Sequence, residues 1–500
     1  MITLDFTQRG SLTLSEYLYR EVKKKILNGE LKGSEKLPSK RGLSVHLGIS
    51  VITVQNVYER LISEGYIFSR EKTGYFVTPD LEIFTKGRPE KSGDPESSSL
   101  CYRDKDKQKE KYQEEKEYGD FVNLSDSASG TEKFPFSVWN RIFREVLKTK
   151  GEELLKATPS EGIFPLREAL SEHLKTFRNI QASPLRIVIG AGSEYLYSLI
   201  LQLLGREKIF ALENPGYLKP GKIFKSLGAE CVPVPLDSSG FSLESLKKMP
   251  LKKSPDVLHV SPSHHFPTGI TMPVKRRNEI LRWLEEKKDR WIIEDDYDSE
   301  FRFSGKPLEP LQRADASGRV IYLNTFTRTI SPSFRISYMV LPESLSRVFK
   351  EKLGFYSSTV SAIEQFALSE FISRGFFEKH LIRMKNYYRN LRNELIGKLN
   401  NSLLKDKIHI REEDSGIHFI MNLKTDLPEK EFKKRAFEKG LGLSLLSDYV
   451  YPETLSPGKT AGLDSFMEQG FVSIVVNYSG LKKNKIEKLV SVLEEVVLDS

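Results

Sequence analysis

Apolar residues recur at Leu14, Tyr17, Leu18, Val22 and Ile26 within residues 11–27, the spacing of a helix with one buried face. Asn28-Gly29 supplies its stop. Leu37-Pro38-Ser39 opens a second, short helix over Lys40–Leu47, because Pro38 restricts the residue before it and Ser39 is a cap; Gly48 breaks it. Ser50 caps a third helix over residues 51–64, whose apolar positions Val54, Val57, Tyr58 and Leu61 leave Ser50, Thr53, Gln55 and Asn56 on another face. Gly65 ends it, and residues 66–68 and 74–77 read as two strands of a wing. Helix, short helix, turn, helix and wing is the arrangement that lays a helix in the major groove of DNA while a hairpin touches the backbone. The alternative is a small three-helix module for protein contact.

The pattern lapses over residues 81–120, a Lys-, Glu- and Asp-rich tract of linker composition. Beyond it strand-like runs (186–189, 208–212, 229–234, 257–260, 291–294, 320–323 and 338–341) alternate with helical ones (194–204, 218–226 and 274–287). That rhythm predicts a mostly parallel sheet with helices on both faces, and ligands in such sheets sit at the carboxyl ends of the strands. The predicted domains are residues 1–80, a linker 81–120 and residues 121–500, the last with a large part near 165–340 and a small C-terminal part near 375–500.

Polar motifs fall at those strand ends. Gly190-Ala191-Gly192-Ser193 precedes the helix that Glu194 begins, so its backbone N–H groups can hold a phosphate; the third Gly of a dinucleotide fingerprint is absent. Glu213-Asn214-Pro215-Gly216-Tyr217 ends a strand in a turn with an aromatic at its exit, suited to stacking on a flat ring or to plain packing. His264 and His265 have no Asp, Glu or Cys at ligand spacing, so no metal is expected there. The acids of residues 294–300 suggest Mg²⁺ as readily as anything else. The stretch 318–340 runs from a strand through a turn holding Thr325 and Thr327 to Arg335, either a phosphate cup or a loop between core strands.

Composition narrows the class little. The chain has 500 residues, 39% apolar and 29% charged, enough for two or three folded domains. Cys101 and Cys231 lie far apart, so no disulfide framework is expected, and a reducing, cytoplasmic setting fits. No signal-peptide pattern opens the chain, and no run approaches the roughly 18 apolar residues of a spanning helix, so no membrane association is expected. A net charge of +9 is compatible with DNA, yet residues 1–80 hold 12 Lys and Arg against 9 Asp and Glu, so the salt-dependent part of binding is modest per monomer.

LPSKRGLSVHLGIS, TVQNVYERLISEG and TGYFV resemble the GntR winged-helix signature, and the chain as a whole resembles regulators of the MocR type, which fuse that domain to a fold-type I aminotransferase-like domain. The resemblance implies DNA contact or wing shape for Arg41, Thr53 and Gly74, with Lys40, Ser50, Gln55 and Asn56 beside them. The family's Arg after the capping Ser is Val51 here. In the large domain the resemblance implies a pyridoxal phosphate site made by Gly192, Ser193, Glu194, Tyr217, Asp295, Tyr297, Thr325, Thr327, Arg328 and Arg335. Asp295 would meet the ring nitrogen, Tyr297 the ring hydroxyl and Arg335 the phosphate. The family's Schiff-base Lys, however, is Arg328 here.

A guanidinium with a pKa above about 12 stays charged and non-nucleophilic, so pyridoxal phosphate is expected as a non-covalent ligand at most and no catalytic residue is assigned. The Arg with which aminotransferases grip a substrate carboxylate is also missing, since the chain reads Val475-Val476-Asn477-Tyr478. The resemblance thus implies a DNA-binding transcription regulator that senses a small-molecule effector. It implies a homodimer, head-to-tail as one option. The opposing readings are a pyridoxal-phosphate-dependent aminotransferase with an appended DNA-binding domain, and a DNA-binding scaffold whose large domain only dimerises.

Overall fold

A computed structural model describes residues 4, 6–10, 12–79, 121–124, 133–250, 254–303, 308–411, 416–452 and 470–498. The chain divides into two compact units, Met1–Glu117 and Tyr118–Ser500. The expected linker, 81–120, lies outside the described residues.

In the first unit, α1 (Leu14–Leu27) starts three residues after the apolar stretch does, because the Thr13 side chain accepts from the Glu16 N–H and caps it there. α2 (Lys40–Leu47) and α3 (Val51–Ser63) have the expected caps, Ser39 and Ser50. A strand the pattern did not reveal, β1 (Lys36–Leu37), pairs with β3 (Gly74–Val77), which also pairs with β2 (Ile67–Arg70), so the wing is three-stranded. Leu18, Val22, Leu43, Val54, Val57, Leu61, Ile67 and Val77 form one core. Over it, Glu64 receives the Tyr19 hydroxyl at 2.5 Å and pairs with Lys23 at 3.0 Å, tying α1 to the end of α3.

The second unit is built on an eight-stranded sheet. Its strands are β5 (Ile187–Gly190), β6 (Ile209–Asn214), β7 (Glu230–Asp237), β8 (Gly240–Phe241), β9 (Val257–Val260), β10 (Trp291–Asp295), β11 (Val320–Thr325) and β12 (Ser337–Val340), in the order β5-β12-β11-β10-β9-β6-β7-β8. The run β11-β10-β9-β6-β7 is parallel, and β12 is antiparallel to both neighbours. A short strand before it, β4 (Val122–Asn123), pairs with β15 (Leu441–Gly442) far along the chain.

The central strands are buried on both faces, which explains their unbroken apolar runs. Ile293, Ile321, Leu323 and Met339 join one layer with α6 (Ser193–Leu204), while Ile292 and Val320 join the opposite layer with α8 (Val274–Glu285). Longer helices beside these are α4 (Phe136–Lys150), α5 (Phe164–Arg178), α7 (Leu218–Ser226), α9 (Glu343–Leu353) and α10 (Ala362–Ser373). The C-terminal part has an antiparallel sheet, β13 (Ile408–Arg411), β14 (His418–Lys424), β17 (Phe471–Asn477) and β16 (Ser444–Leu445), covered by α11 (Phe376–Asn400), α12 (Glu429–Glu438) and α13 (Ile486–Leu498).

A buried ion pair fixes the strand ends. Arg178 on α5 meets Asp296, just past β10, at 2.8 Å with side chains 4% and 0% exposed, and Asp296 also receives the Tyr322 hydroxyl at 2.6 Å. Burial disfavours the Asp296 carboxylate, but the Arg178 guanidinium together with hydrogen bonds from Ser263, Tyr322 and Ser299 more than offsets this and holds it below the ordinary range. Asp296→Asn would leave a buried guanidinium without its charge partner. We expect a loss of about 3–5 kcal/mol in urea unfolding of the full chain. A loss under about 1 kcal/mol would show that the pair does not brace this strand end.

Candidate functional site

On the first unit the predicted residues gather around α2, the start of α3 and the wing. Arg41 and Asn56 are exposed, and Lys40 is half-buried with its Nζ 5.9 Å from the Tyr75 ring. The Ser50 hydroxyl accepts from the Thr53 N–H at 3.1 Å and pairs with the Thr53 hydroxyl at 2.8 Å, so the two share the cap. Gln55 donates to Glu59 at 2.9 Å. Gly74 has φ 121°, and a Cβ there would stand 3.3 Å from the Lys36 side chain, so the wing's entry favours glycine twice over. The Tyr58 hydroxyl donates to the Pro38 carbonyl at 2.9 Å, locking α3 to the approach to α2. Sequence reasoning missed that Val45 and Ile52 are 83% and 70% exposed, a placement apolar spacing alone does not give.

On the second unit the strand ends open onto a cavity of about 330 Å³. Ser193 and Glu194 at the start of α6, Tyr217 after β6, Asp295 at the end of β10 and Tyr297 past it, Thr325 at the end of β11 with Thr327 and Arg328 past it, and Arg335 before β12 all line it. Gly192 stands behind them with φ 89°, and a Cβ there would come within 2.6 Å of the Arg335 guanidinium. Lys219, Ser261, Phe266, Tyr449 and Asn477 also line it and were not foreseen; Val475, read only as a missing Arg, does too. Tyr449 and Val475 arrive from the C-terminal part, as does Tyr451, 237 residues after Asn214, whose Oδ1 accepts from the Tyr451 N–H at 3.1 Å. No local signal in the sequence announces that union.

The turn carrying Arg328 is tightly organised. Thr325 caps the single helical turn Phe326–Thr329, accepting from the Thr327 N–H at 3.1 Å, and Ser337 donates to it at 2.7 Å. His380 Nε2 lies 2.9 Å from the Thr329 carbonyl. Among the described residues the Arg328 guanidinium itself has no hydrogen-bond or ion-pair partner. Glu194, by contrast, holds both other cations of the cavity, Lys219 at 2.7 Å and Arg335 at 3.3 Å. The Lys219 hydrogen bond lowers the Glu194 pKa, and the same bond raises that of Lys219.

Asp295 receives the Tyr197 hydroxyl at 2.6 Å, and that hydroxyl lies 3.0 Å from His259 Nε2. Burial raises the Asp295 pKa to about 6, with the Tyr197 bond opposing. The remaining acids after β10 have partners of their own. Glu294 accepts from the Leu311 and Gln312 N–H groups, and Glu300 from Asn324 at 3.2 Å. His264 does have an acid partner, Asp298, at 2.8 Å, and His418 joins them within 4.8 Å; a spacing of 34 residues hid the pair until the fold closed it. Tyr297 lies 3.3 Å from the same His264 nitrogen.

A winged-helix unit carried on the same chain as a mixed α/β unit with its cavity at the strand ends defines a DNA-binding protein with an aminotransferase-like body. Residues 14–77 match the model of the bacterial regulatory proteins of the gntR family. The chain is 34% identical over 457 residues to the HTH-type transcriptional regulator YdeL of Bacillus subtilis (strain 168), covering 90% of this chain and 92% of that one. It is 31% identical over 481 residues to the probable rhizopine catabolism regulatory protein MocR of Rhizobium meliloti, covering 95% of each. In fold it is similar to an archaeal alanine:glyoxylate aminotransferase, with TM-score 0.66 and 25% identity over 79% of this chain and 94% of that one. The chain belongs to the MocR-type family of GntR transcription regulators.

The raised pKa of Asp295 sets a sign for stability. Between its ordinary value, near 3.8, and about 6 the folded state binds the proton more tightly than the unfolded chain does. This contribution therefore falls as pH rises through that window. Asp295→Asn should flatten the decline by up to about 3 kcal/mol between about pH 4 and 6, read from urea midpoints. An unchanged pH profile would place Asp295 in water, with an ordinary pKa.

Proposed function

We propose that the chain is a cytoplasmic regulator in which α2, α3 and the wing grip DNA, and in which the strand-end cavity receives a small-molecule effector and performs no transamination. Residues 1–80 form the DNA-binding domain, 81–120 the linker and 121–500 the receptor, which we take to act as a homodimer. Lys40, Arg41, Ser50, Thr53, Gln55, Asn56 and Gly74 supply the contacts and the wing shape. Val51 and Ile52, exposed at the start of α3, suit apolar contact with a thymine methyl group.

The observation that carries the reading is Arg328: the cavity wall offers a permanently charged group where covalent chemistry needs an amine. Pyridoxal phosphate, which the fold family implies, is matched only in part by the residues present. Asp295 and Tyr297 remain on the cavity wall to meet its ring nitrogen and ring hydroxyl. The anchor and the cup do not fit, because Arg328 is no nucleophile and Glu194 places a carboxylate between the two cations a phosphate dianion would use. Lys219, the one lysine among the lining residues, is held protonated by Glu194, so it gives the enzyme reading no support.

Two experiments test this. Arg41→Ala should weaken operator binding by about 1–3 kcal/mol if the contact is to a base, or flatten the salt slope by about one unit if it is to a phosphate. Unchanged affinity and salt slope would remove Arg41 from the interface. Arg328→Lys, mixed with pyridoxal phosphate and borohydride, should gain a trapped adduct at position 328. Adding Glu194→Gln should tighten that binding about tenfold by removing a like charge from the phosphate. An Arg328→Lys protein with no adduct would mean that position 328 does not face the reactive carbonyl.

A further inference from the structure

Three cations line the strand-end cavity, and their charges are not equally spent. Lys219 and Arg335 share the Glu194 carboxylate at 2.7 and 3.3 Å, whereas Arg328 has no hydrogen bond or ion pair among the described residues and its charge reaches Asp295 only through space. A phosphate dianion would have to meet Glu194 as well as the cations. A single carboxylate on Arg328 would not, and a guanidinium presents paired N–H groups in the geometry a carboxylate accepts.

The opposite charge in the cavity is Asp295. Its Oδ2 takes the Tyr197 hydroxyl at 2.6 Å, while its Oδ1 has no hydrogen bond among the described residues. Burial, with the nearby Asp296 and Asp298 charges, raises the pKa of this carboxyl to about 6 against the opposing Tyr197 hydrogen bond, and a cationic nitrogen beside it would favour the charged form. Apolar surface lines the same cavity. Phe266 stands edge-on to Tyr449 at 4.9 Å and to Tyr217 at 6.3 Å, and Val475 packs against the same cluster. A volume of about 330 Å³ is at the small end of ligand pockets, which run from about 300 to 1,000 Å³.

We propose that this cavity is a receptor for a small zwitterion without phosphate, its carboxylate held by Arg328, its protonated nitrogen facing Asp295 and its apolar body against Phe266, Tyr449 and Val475. The inference rests on the receptor reading above and specifies its ligand. It turns the residue that ends covalent chemistry into the group that recognises the effector.

Matched probes test it by calorimetry on the full-length protein. L-phenylalanine and L-leucine carry both charges, 3-phenylpropanoate lacks the nitrogen, 2-phenylethylamine lacks the carboxylate, and phenyl phosphate offers the dianion. At least one zwitterion should bind at least tenfold more tightly than the three one-sided probes. Arg328→Gln should cost the zwitterion at least tenfold and leave 2-phenylethylamine unaffected; Asp295→Asn should cost it similarly and leave 3-phenylpropanoate unaffected. A merely structural role would weaken all probes together. If either variant fails to fold, the ranking of probes on the wild-type protein still decides. Phenyl phosphate binding more tightly than 3-phenylpropanoate would overturn the proposal. So would zwitterion affinity indifferent to Arg328→Gln, or no zwitterion bound at about 10 mM, weaker than about 3 kcal/mol. Operator binding by the same wild-type preparation separates the outcomes, because its loss would instead overturn the regulator reading.

Discussion

A guanidinium keeps its proton at any pH a cell reaches, and this constraint at Arg328 organises the second unit's chemistry. The turn that presents Arg328 is held by the Thr325 cap, by Ser337 and by His380, so the group is placed on the cavity wall by rigid neighbours. Around it the strand ends carry an acid closing β10, a glycine turn before α6 and aromatic walls. In the receptor we propose, these features serve recognition. Glu194 strengthens the point, since it neutralises the two cations best placed for a phosphate.

The two units solve different problems with the same means. In the first, caps at Thr13, Ser39 and Ser50 and a shared apolar core hold three helices together, with residues of α2 and the start of α3 exposed on the surface we propose for DNA. In the second, strands buried on both faces hold the cavity's polar groups in one place, and the Arg178–Asp296 pair braces the strand end that carries Asp295. Loop residues can carry recognition because the scaffold beneath them does not move.

Much of this was legible in the chain itself. The helices at Lys40–Leu47 and Leu218–Ser226 and the strand Val257–Val260 have the bounds that periodicity and caps predict, because local signals decide them. The parallel sheet followed from the alternation of short apolar runs with helical ones. What stayed hidden was what distant segments build together. β1 has only two residues and no pattern of its own; it exists because β3 offers an edge. Tyr449, Val475 and Asn477 reach the cavity from the C-terminal part, and the His264–Asp298 pair closes only when two loops meet. The pairing of Glu194 with Lys219 and Arg335 likewise depends on three separate turns converging, although each residue was in plain view.

The central claim is that Arg328 leaves the cavity without a working nucleophile, so that the protein recognises a small molecule without reacting with it. The most direct test is the protein as its own cells make it. Full-length wild-type protein, purified from pyridoxine-replete cells without added cofactor and treated with borohydride, should be colourless and show the intact mass of the unmodified chain. A yellow preparation with a stoichiometric adduct on any cavity lysine, Lys219 included, would contradict the account.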